Sequence, residues 1–334
     1  MTRTAGFHAI VAFCFTILFL PPVAAAAEIV PFESTNQSPL VRIYGLPGTG
    51  NAVVLPQGRT EVGLNVALSS NHTVNENSRE RILLDGETTR FTVAARYGLF
   101  PRLELGVKIP YISHSGGFLD GFIESYHGAF GFPNAGRDQA PKNRLLYRYQ
   151  RDGVEKIRID SSGSGIGDVM LTTAFQLYEE TDRGMTLNAA LKLPTGDSDQ
   201  LRGSGSTDLS LWLNEGIGGT FAGGSWASYG SAGILFMTEG KVLPDQQKKW
   251  VGFGSLGIGW APLNWLSFKV QADAHTPFFS DSDLKEIAAN AVQLIVGGTI
   301  SFSEKTALDI GVSEDLIVNT SPDVVFYFTL RTRF

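Results

Sequence analysis

The sequence is poor in cysteine: Cys14 is the only one among its 334 residues. Cys14 lies in an N-terminal segment that we expect to be removed, so the mature chain carries no thiol. This excludes disulfide bonds, thiolate metal sites and cysteine nucleophiles from the mature protein. It also excludes a lipoprotein anchor, because Cys14 precedes the expected cleavage site.

Long apolar runs are lacking too, apart from one at residues 9–20. With Arg3 before it and the small residues 23–27 after it, this run predicts a secretory signal peptide over residues 1–27. The alternative is an N-terminal membrane anchor. The run is shorter than the ~20 residues that a spanning helix needs, and two prolines follow it directly.

Neither sign of charge dominates the composition. Twenty-seven lysines and arginines stand against 33 aspartates and glutamates, for a net charge of −6, which argues against a nucleic-acid partner. The glycines of residues 45–50 have the spacing of a phosphate-binding loop, but Asn51 and Ala52 stand where that loop needs lysine and Ser/Thr. We therefore predict no cofactor.

What is present is a regular alternation of apolar and polar residues beyond Gln57. The first two segments, 61–68 and 90–99, are typical, because every second residue is apolar. A period of two residues indicates a β-strand with one face in an apolar environment. We count about twelve such segments, which lies within the range of transmembrane barrels.

The connections between these segments alternate in length, with every second one long. The short connections lie at residues 100–102, 179–183, 218–225, 262–264 and 303–305. This pattern predicts an all-β fold, a transmembrane antiparallel up-and-down β-barrel over residues 59–334, with short periplasmic turns and long extracellular loops. The alternative is a soluble β-sandwich, which has no reason to sort its loops by length.

The last strand, residues 324–334, closes on a terminal phenylalanine, Phe334. This ending resembles the signal by which bacterial outer-membrane barrels are recognised for assembly. We therefore expect outer-membrane lipid and the barrel assembly machinery as partners.

Two stretches are not predicted to be barrel wall. Residues 28–58 are rich in proline and glycine and form either a periplasmic segment or a plug in the lumen. Residues 113–165 form a long extracellular loop with a hairpin turning at Asp152-Gly153 and a short amphipathic helix. The aromatic face of this helix either gates the barrel mouth or packs on the loop hairpin or on the membrane surface. The gate candidates are Phe118, Phe122, Tyr126 and Phe130.

The polar face of the strands is predicted to line the lumen. Its acidic and basic residues are nearly balanced, so they would pair across a narrow interior rather than select solutes by charge. The lumen-lining candidates are Glu61, Arg90, Arg96, Glu104, Lys108, Asp168, Lys192, Asp208, Lys269, Asp273, Asp309 and Arg331.

Catalytic motifs are missing around the histidines of the expected mature chain. There is no Gly-x-Ser-x-Gly and no His-Glu-x-x-His sequence. We predict no catalytic residue, no metal site and no enzymatic activity. The histidines concerned are His72, His114, His127 and His275.

Three stretches, Asn36–Pro47, Gly117–Phe130 and the ending in Phe334, resemble a family of uncharacterised bacterial outer-membrane proteins known only as a domain of unknown function. The stretch Leu191–Asp197 is similar to a motif of the putative outer-membrane proteins of the phenol meta-degradation pathway. The resemblance implies a barrel in a Gram-negative outer membrane. It makes small apolar or aromatic compounds candidate solutes and transfers no binding residue.

Three functions follow as hypotheses. The first is a channel or passive transporter for small solutes. The second is a closed structural or adhesive barrel that binds an envelope partner through its loops or residues 28–58. The third is a lipid-modifying enzyme, which would need a serine and a histidine within hydrogen-bonding reach at the barrel rim.

Overall fold

The computed structural model describes residues 28–119, 121, 141–316 and 320–334. Within these residues the chain forms fifteen strands and one helical turn, α1 (Lys285–Ala288). The strands are β1 (Thr60–Glu76), β2 (Glu80–Phe100), β3 (Leu103–Ser115), β4 (Leu146–Arg151), β5 (Val154–Ile159), β6 (Gly163–Ile166), β7 (Met170–Glu179), β8 (Arg183–Lys192), β9 (Asp208–Phe221), β10 (Gly224–Met237), β11 (Trp250–Leu263), β12 (Leu266–His275), β13 (Ala291–Ser301), β14 (Thr306–Asp315) and β15 (Val324–Arg333).

Twelve of these strands form a closed antiparallel barrel, as the sequence predicts. The wall runs from β1 through β2, β3 and β7 to β15 in chain order, and β15 pairs with β1 from Glu61–Arg333 to Ser70–Val324. Closure leaves no strand edge unpaired, which a bilayer requires because hydrocarbon offers no partner to a backbone donor or acceptor.

The other three strands lie at the end of the barrel that carries the long loops. The β4–β5 hairpin turns at Asp152-Gly153, both with positive φ, and adds to the edge of β2. Strand β6 pairs with β3 and continues into β7 across a bulge at residues 167–169. Within the described residues, no helix is long and apolar enough to span a bilayer.

Alternation along each strand separates an outer apolar face from an inner polar face. In β9, Leu209, Leu211 and Leu213 are exposed on the outside, with about two fifths of their surface accessible. The alternate residues Ser210, Trp212 and Asn214 are buried on the inside. The exposed leucines face lipid when the barrel is in a membrane, which accounts for the two-residue period of the sequence.

One connection differs from the sequence expectation. The sequence predicts a loop between residues 68 and 90. In the structure these residues form the ends of β1 and β2, which meet at a tight turn over residues 77–79. Here the outward positions Ser70, His72, Asp85 and Glu87 are polar and buried. The long loop covers them, since Arg144 pairs with Asp85 and Leu119 N donates to Glu87, so the apolar period is lost. The inner face of this hairpin packs Ile82 and Leu84 into a buried cluster with Tyr147 and Tyr149.

The predicted gate helix lies largely outside the described residues, which include only Phe118 and Leu119 of its proposed aromatic and aliphatic face. Phe118 is 71% exposed, whereas Leu119 is buried against Val324. The backbone N–H groups of both donate to Glu87. Phe122, Tyr126 and Phe130 lie outside the described residues, so the gate stays a prediction.

The outward position of Leu211 generates a stability prediction. Leu211→Arg should lower the free energy of unfolding in lipid vesicles by about 2–4 kcal/mol, because arginine at mid-membrane depth must be desolvated. Ile217→Arg is the matched control: Ile217 also faces outward but lies opposite Arg183 near the short-turn end. Its cost should be about 0–1 kcal/mol. Urea unfolding followed by tryptophan fluorescence measures both, and equal losses would contradict the membrane placement.

Candidate functional site

The barrel interior is occupied by residues 28–58, here called the inner segment. It enters at the short-turn end, where Glu28 pairs with Arg333 of β15 at 2.8 Å. An ascending limb, residues 30–36, runs along β12; a turn over residues 38–44 lies at the long-loop end; and a descending limb, residues 45–55, returns along β9, β8 and β7 to the start of β1.

The ascending limb follows β12 in fixed register. Every second residue of the limb contacts every second residue of the strand, always 239 positions further along the chain. Two extended chains side by side repeat with the same period, so their polar groups stay in phase. The contacts join Val30 O to Lys269 Nζ (3.0 Å), Phe32 N to Gln271 Oε1 (2.8 Å), Ser34 Oγ to Asp273 Oδ2 (2.5 Å) and Asn36 Nδ2 to His275 Nε2 (2.9 Å).

The turn of the inner segment is anchored by apolar contacts. Tyr44 stacks on Phe278 with ring centroids 5.0 Å apart and meets Phe279 edge-on at 5.9 Å. Leu40 and Ile43 are buried in the same cluster, which continues into the β4–β5 hairpin and the loops. This cluster closes the long-loop end over the turn.

The descending limb is held by polar side chains of the wall. Gly45 N donates to Asp208 Oδ2 at 2.8 Å, and its carbonyl accepts from Ser210 Oγ at 2.8 Å. Gln176 joins two points of the limb: its Oε1 accepts from Val54 N at 2.8 Å, and its Nε2 donates to Ala52 O at 2.9 Å. The limb is therefore fixed through its main chain.

The charged residues predicted to line the lumen all lie on the inner side of the wall, with Asp168 in the bulge before β7. Most of them pair with one another. Three groups form: Arg96 with Glu61 (2.6 Å) and Glu104 (3.0 Å), Lys192 with Asp168 (2.6 Å) and Asp208 (3.1 Å), and Asp309 with Lys269 (2.7 Å) and Arg331.

Three of the predicted residues differ from this pattern. Lys108 pairs with Glu33 of the inner segment, and Asp273 accepts from Ser34 of the same segment. Arg90 points inward, and its Nε has no hydrogen-bond partner in the part of the chain that the structure describes.

Lys192 is the centre of the largest polar cluster. Besides its two carboxylates it donates to Ser204 Oγ at 2.5 Å and to the carbonyl of Ile43 at 3.2 Å. Asp168 is itself held by the strand exit that follows Lys192, since Gly196 N donates to its Oδ1 at 2.8 Å. The cluster thus connects the wall, the 193–207 loop and the inner segment.

Open space remains on both sides of the inner segment. A cavity of about 130 Å³ lies between its limbs and the barrel wall, with Asn65 of β1, Lys108 of β3 and Trp212 of β9 among the lining residues. A vestibule of about 870 Å³ opens at the short-turn end beside Glu28, Arg59 and Arg183. Val30 and Val54 line both, so the vestibule and the inner cavity are neighbours.

The described histidines make structural hydrogen bonds. His114 contacts Thr88 Oγ1 and Arg42, and His275 contacts Asn36 and the carbonyl of Thr276. His72 lies 3.6 Å from Asp85, and His127 is outside the described residues. In the regions that the structure describes, neither His114 nor His275 has a serine partner, and no group of three His, Cys, Asp or Glu residues could hold a metal ion.

Sequence reasoning missed the uncharged residues that contact the inner segment. Gln176 and Gln271 lie in phase with the predicted lumen charges, so the same alternation could have found them. Gly45 is a different case: an added Cβ would lie 3.1 Å from the Cβ atoms of Asp208 and Lys192, which only the folded structure reveals.

A closed barrel with a lipid-facing outer surface and a polar, charge-paired interior is the architecture of outer-membrane β-barrel proteins. The sequence matches, over residues 8–334, the family described as "Protein of unknown function (DUF3187)". The chain belongs to that family, which confirms the resemblance to an uncharacterised outer-membrane family. No curated protein is significantly similar to it in sequence.

Solved structures share the fold. The COG4313 outer membrane channel from Pseudomonas putida F1 is similar with a TM-score of 0.54 and 15% identity, over 85% of this chain and 98% of that one. The NanC porin is similar to this chain with a TM-score of 0.44 and 6% identity, over 81% of this chain and 98% of that one. The toluene transporter TbuX of Ralstonia pickettii is similar with a TM-score of 0.37 and 14% identity, over 96% of this chain and 100% of that one. Because both TM-scores are below 0.5, these two similarities do not strengthen the fold assignment.

The Lys192 cluster generates a second prediction. Lys192→Met should lower the free energy of unfolding by about 3–5 kcal/mol, because it leaves the buried Asp168 and Asp208 without their cation. Lys305→Met, at an exposed turn, is the matched control and should change it by less than about 0.5 kcal/mol. Urea unfolding in lipid vesicles measures both. A small loss for Lys192→Met would show that the cluster does not depend on its lysine.

Proposed function

We propose that this protein is an outer-membrane channel for small solutes in which the inner segment acts as a removable plug. The observation that carries the proposal is the division of polar contacts inside the barrel. Most of the wall charges are neutralised by other wall charges, whereas the inner segment is held largely by hydrogen bonds between its main chain and wall side chains, both neutral and charged.

Because of this division, withdrawing either limb from the lumen should cost little free energy per contact. Exchanging a neutral hydrogen bond for one to water changes the free energy by about 0.5–1.5 kcal/mol, and exchanging one to a charged group changes it by about 1.5–3 kcal/mol. Leaving a buried charge without its partner would cost about 3–5 kcal/mol. After removal, the groups around Lys192, Lys269 and Arg96 would remain paired and line a polar pore. Lys108 would lose its partner Glu33, but it lines the inner cavity.

A closed structural barrel is the second candidate, because the apolar turn favours it. Leu40, Ile43 and Tyr44 are buried with the loop residues Phe278 and Phe279, and that cluster resists withdrawal of the turn. The two candidates differ in one respect, which is whether the inner segment ever leaves the lumen.

A disulfide lock separates the two candidates. The hydroxyls of Thr49 and Ser255 contact each other, so Thr49→Cys with Ser255→Cys, in a Cys14→Ser background, joins the inner segment to β11. In a planar bilayer the reduced protein should show channel openings and the oxidised protein none. The current through the single variant Ser255→Cys should be the same under oxidising and reducing conditions. Equal currents in the oxidised and reduced double variant would contradict a removable plug. If neither form of the double variant nor the wild type carries current, the closed barrel is favoured.

The proposed setting is the outer membrane of a Gram-negative bacterium. We propose that the signal peptide over residues 1–27 is cleaved and that the short-turn end, with both ends of the mature chain, faces the periplasm. The vestibule would then be the periplasmic mouth, and the apolar cluster would cover the extracellular mouth. The position of Glu28 at the rim supports this arrangement, since cleavage after residue 27 leaves the new N-terminus there.

We further propose that Phe334 is read by the barrel assembly machinery. Its ring is 62% exposed, and only its main chain pairs with Thr60. Phe334→Ala should therefore reduce the amount of barrel in the outer membrane without lowering its unfolding free energy. Phe221→Ala, equally exposed at the same end, is the control and should leave the amount unchanged. Equal amounts for Phe334→Ala and wild type would contradict this role.

A further inference from the structure

The wall of the lumen recognises the inner segment mainly as a polypeptide backbone. Wall side chains reach carbonyl and N–H groups along both limbs, largely without regard to the residue that carries them. The main-chain groups in such hydrogen bonds are Val30 O, Phe32 N, Glu33 O, Thr35 O, Ile43 O, Gly45 N, Gly45 O, Asn51 O, Ala52 O, Val54 N and Leu55 N.

Two glutamines show this recognition most clearly. Gln271 accepts from Phe32 N at 2.8 Å. Its Nε2 donates to Ser34 Oγ at 3.0 Å and to Asp273 Oδ1 at 2.8 Å, and it lies 3.5 Å from the carbonyl of Phe32. Gln176 forms the corresponding pair with the descending limb. Both are almost fully buried, with exposures of 0% and 3%. A glutamine amide carries the same donor and acceptor as a peptide group, so each can pair with a main chain as a neighbouring strand would.

The spacing of these groups fits an extended chain. Inward residues of β12 recur at every second position, as do the limb residues that they contact, so donors and acceptors stay in phase along the lumen. Recognition of main-chain groups gives affinity that does not depend on sequence, as in the addition of a peptide strand to a sheet edge. Apolar contacts are concentrated at the turn, where Tyr44 packs on Phe278. Side-chain contacts such as Ser34–Asp273 and Thr49–Ser255 occur along the limbs as well and add to the main-chain bonds.

We propose that the lumen is a binding track for extended peptides and that short oligopeptides are the solutes of the channel. The inner segment is then an internal ligand that occupies the track until a solute peptide replaces it. This inference rests on the proposed channel function and specifies its substrate class. Peptides fit better than sugars because the two glutamines pair N–H and C=O groups, whereas sugar hydroxyls offer no fixed order of donors and acceptors.

The inner segment must be weakened before a free peptide can compete with it, because a tethered ligand acts at millimolar effective concentration. Gly45→Val does this by forcing a side chain against Asp208 and Lys192. Gly48→Val is a second, independent variant, since its Cβ would lie 2.9 Å from Ser34 O and would separate the limbs without touching the wall. Gly252→Val is the control, because only one atom, 3.7 Å away, lies near its Cβ.

The probe is a short glycine–serine peptide with blocked ends and a fluorescent label, unrelated in sequence to the inner segment. Its partner probe is the same peptide N-methylated at alternate residues, which removes main-chain donors and keeps the side chains. Fluorescence anisotropy with the detergent-solubilised full-length variants measures binding, and current block in planar bilayers measures occupation of the pore.

The unmethylated peptide should bind to Gly45→Val and Gly48→Val, and binding to wild type and Gly252→Val should be much weaker. Methylation should weaken binding by about tenfold or more, as loss of a few hydrogen bonds predicts. Gln271→Leu and Gln176→Leu, each added to Gly48→Val, should also weaken it about tenfold. Gln293→Leu is the matched control and should have no effect, because Gln293 faces the lumen and its Nε2 has no hydrogen-bond partner among the described residues.

Three results would overturn the inference: equal binding of the methylated peptide, binding only of a peptide with the sequence of residues 30–36, or equal binding of a maltooligosaccharide. Failure here is distinguishable from failure of the proposed function. Channels that open but bind no peptide would refute the peptide track alone. Peptide binding without current in any variant would refute the channel and leave the track as a docking site in a closed barrel.

Discussion

The pairing of charges within the barrel wall is the interaction on which the rest of the interior depends. Lys192 with its two aspartates and Asp309 with its two cations are nearly inaccessible to solvent, where an unpaired charge would be strongly destabilising. Because these charges satisfy one another, they do not need the inner segment as a counter-ion. The segment can then be held by many individual hydrogen bonds to its main chain, which is a condition for being both well placed and replaceable.

The two ends of the barrel differ in the kind of contact that surrounds the inner segment. At the long-loop end, aromatic and aliphatic side chains from the inner turn, the β4–β5 hairpin and the loops form one apolar cluster. At the short-turn end the inner segment is flanked by a wide vestibule and by the ion pair of Glu28 with Arg333. Contacts at the short-turn end are therefore accessible to water and ions, and movement of the segment should begin there.

The sequence predicts the wall well because the environment of each strand is simple. Outer positions such as Leu211 meet lipid and inner positions such as Ser210 meet a polar interior, so a two-residue period is sufficient to assign both. The rise of β1 and β2 beyond residue 68 could not be predicted in this way, since buried polar residues such as Asp85 and Glu87 occupy outward positions there and the apolar period disappears.

The interior arrangement was predictable only in part. Alternation places Lys192 and Lys269 on the inner face, but which aspartates they pair with depends on strand neighbours that are distant in the chain. The path of the inner segment left no periodic signal, because its contacts use main-chain atoms that every residue possesses. Gly45 has no sequence motif to mark it; its importance comes from the close approach of Asp208 and Lys192.

The central claim is that the inner segment moves as a unit while the wall stays closed. Hydrogen–deuterium exchange in lipid vesicles, read by mass spectrometry, tests it most directly. The amides of Phe32, Gly45, Val54 and Leu55, each hydrogen-bonded to a wall side chain, should exchange at a common rate that is much faster than the exchange of β1, β12 and β15. Exchange as slow as that of the wall strands would contradict the account and show that the segment is a permanent part of the barrel.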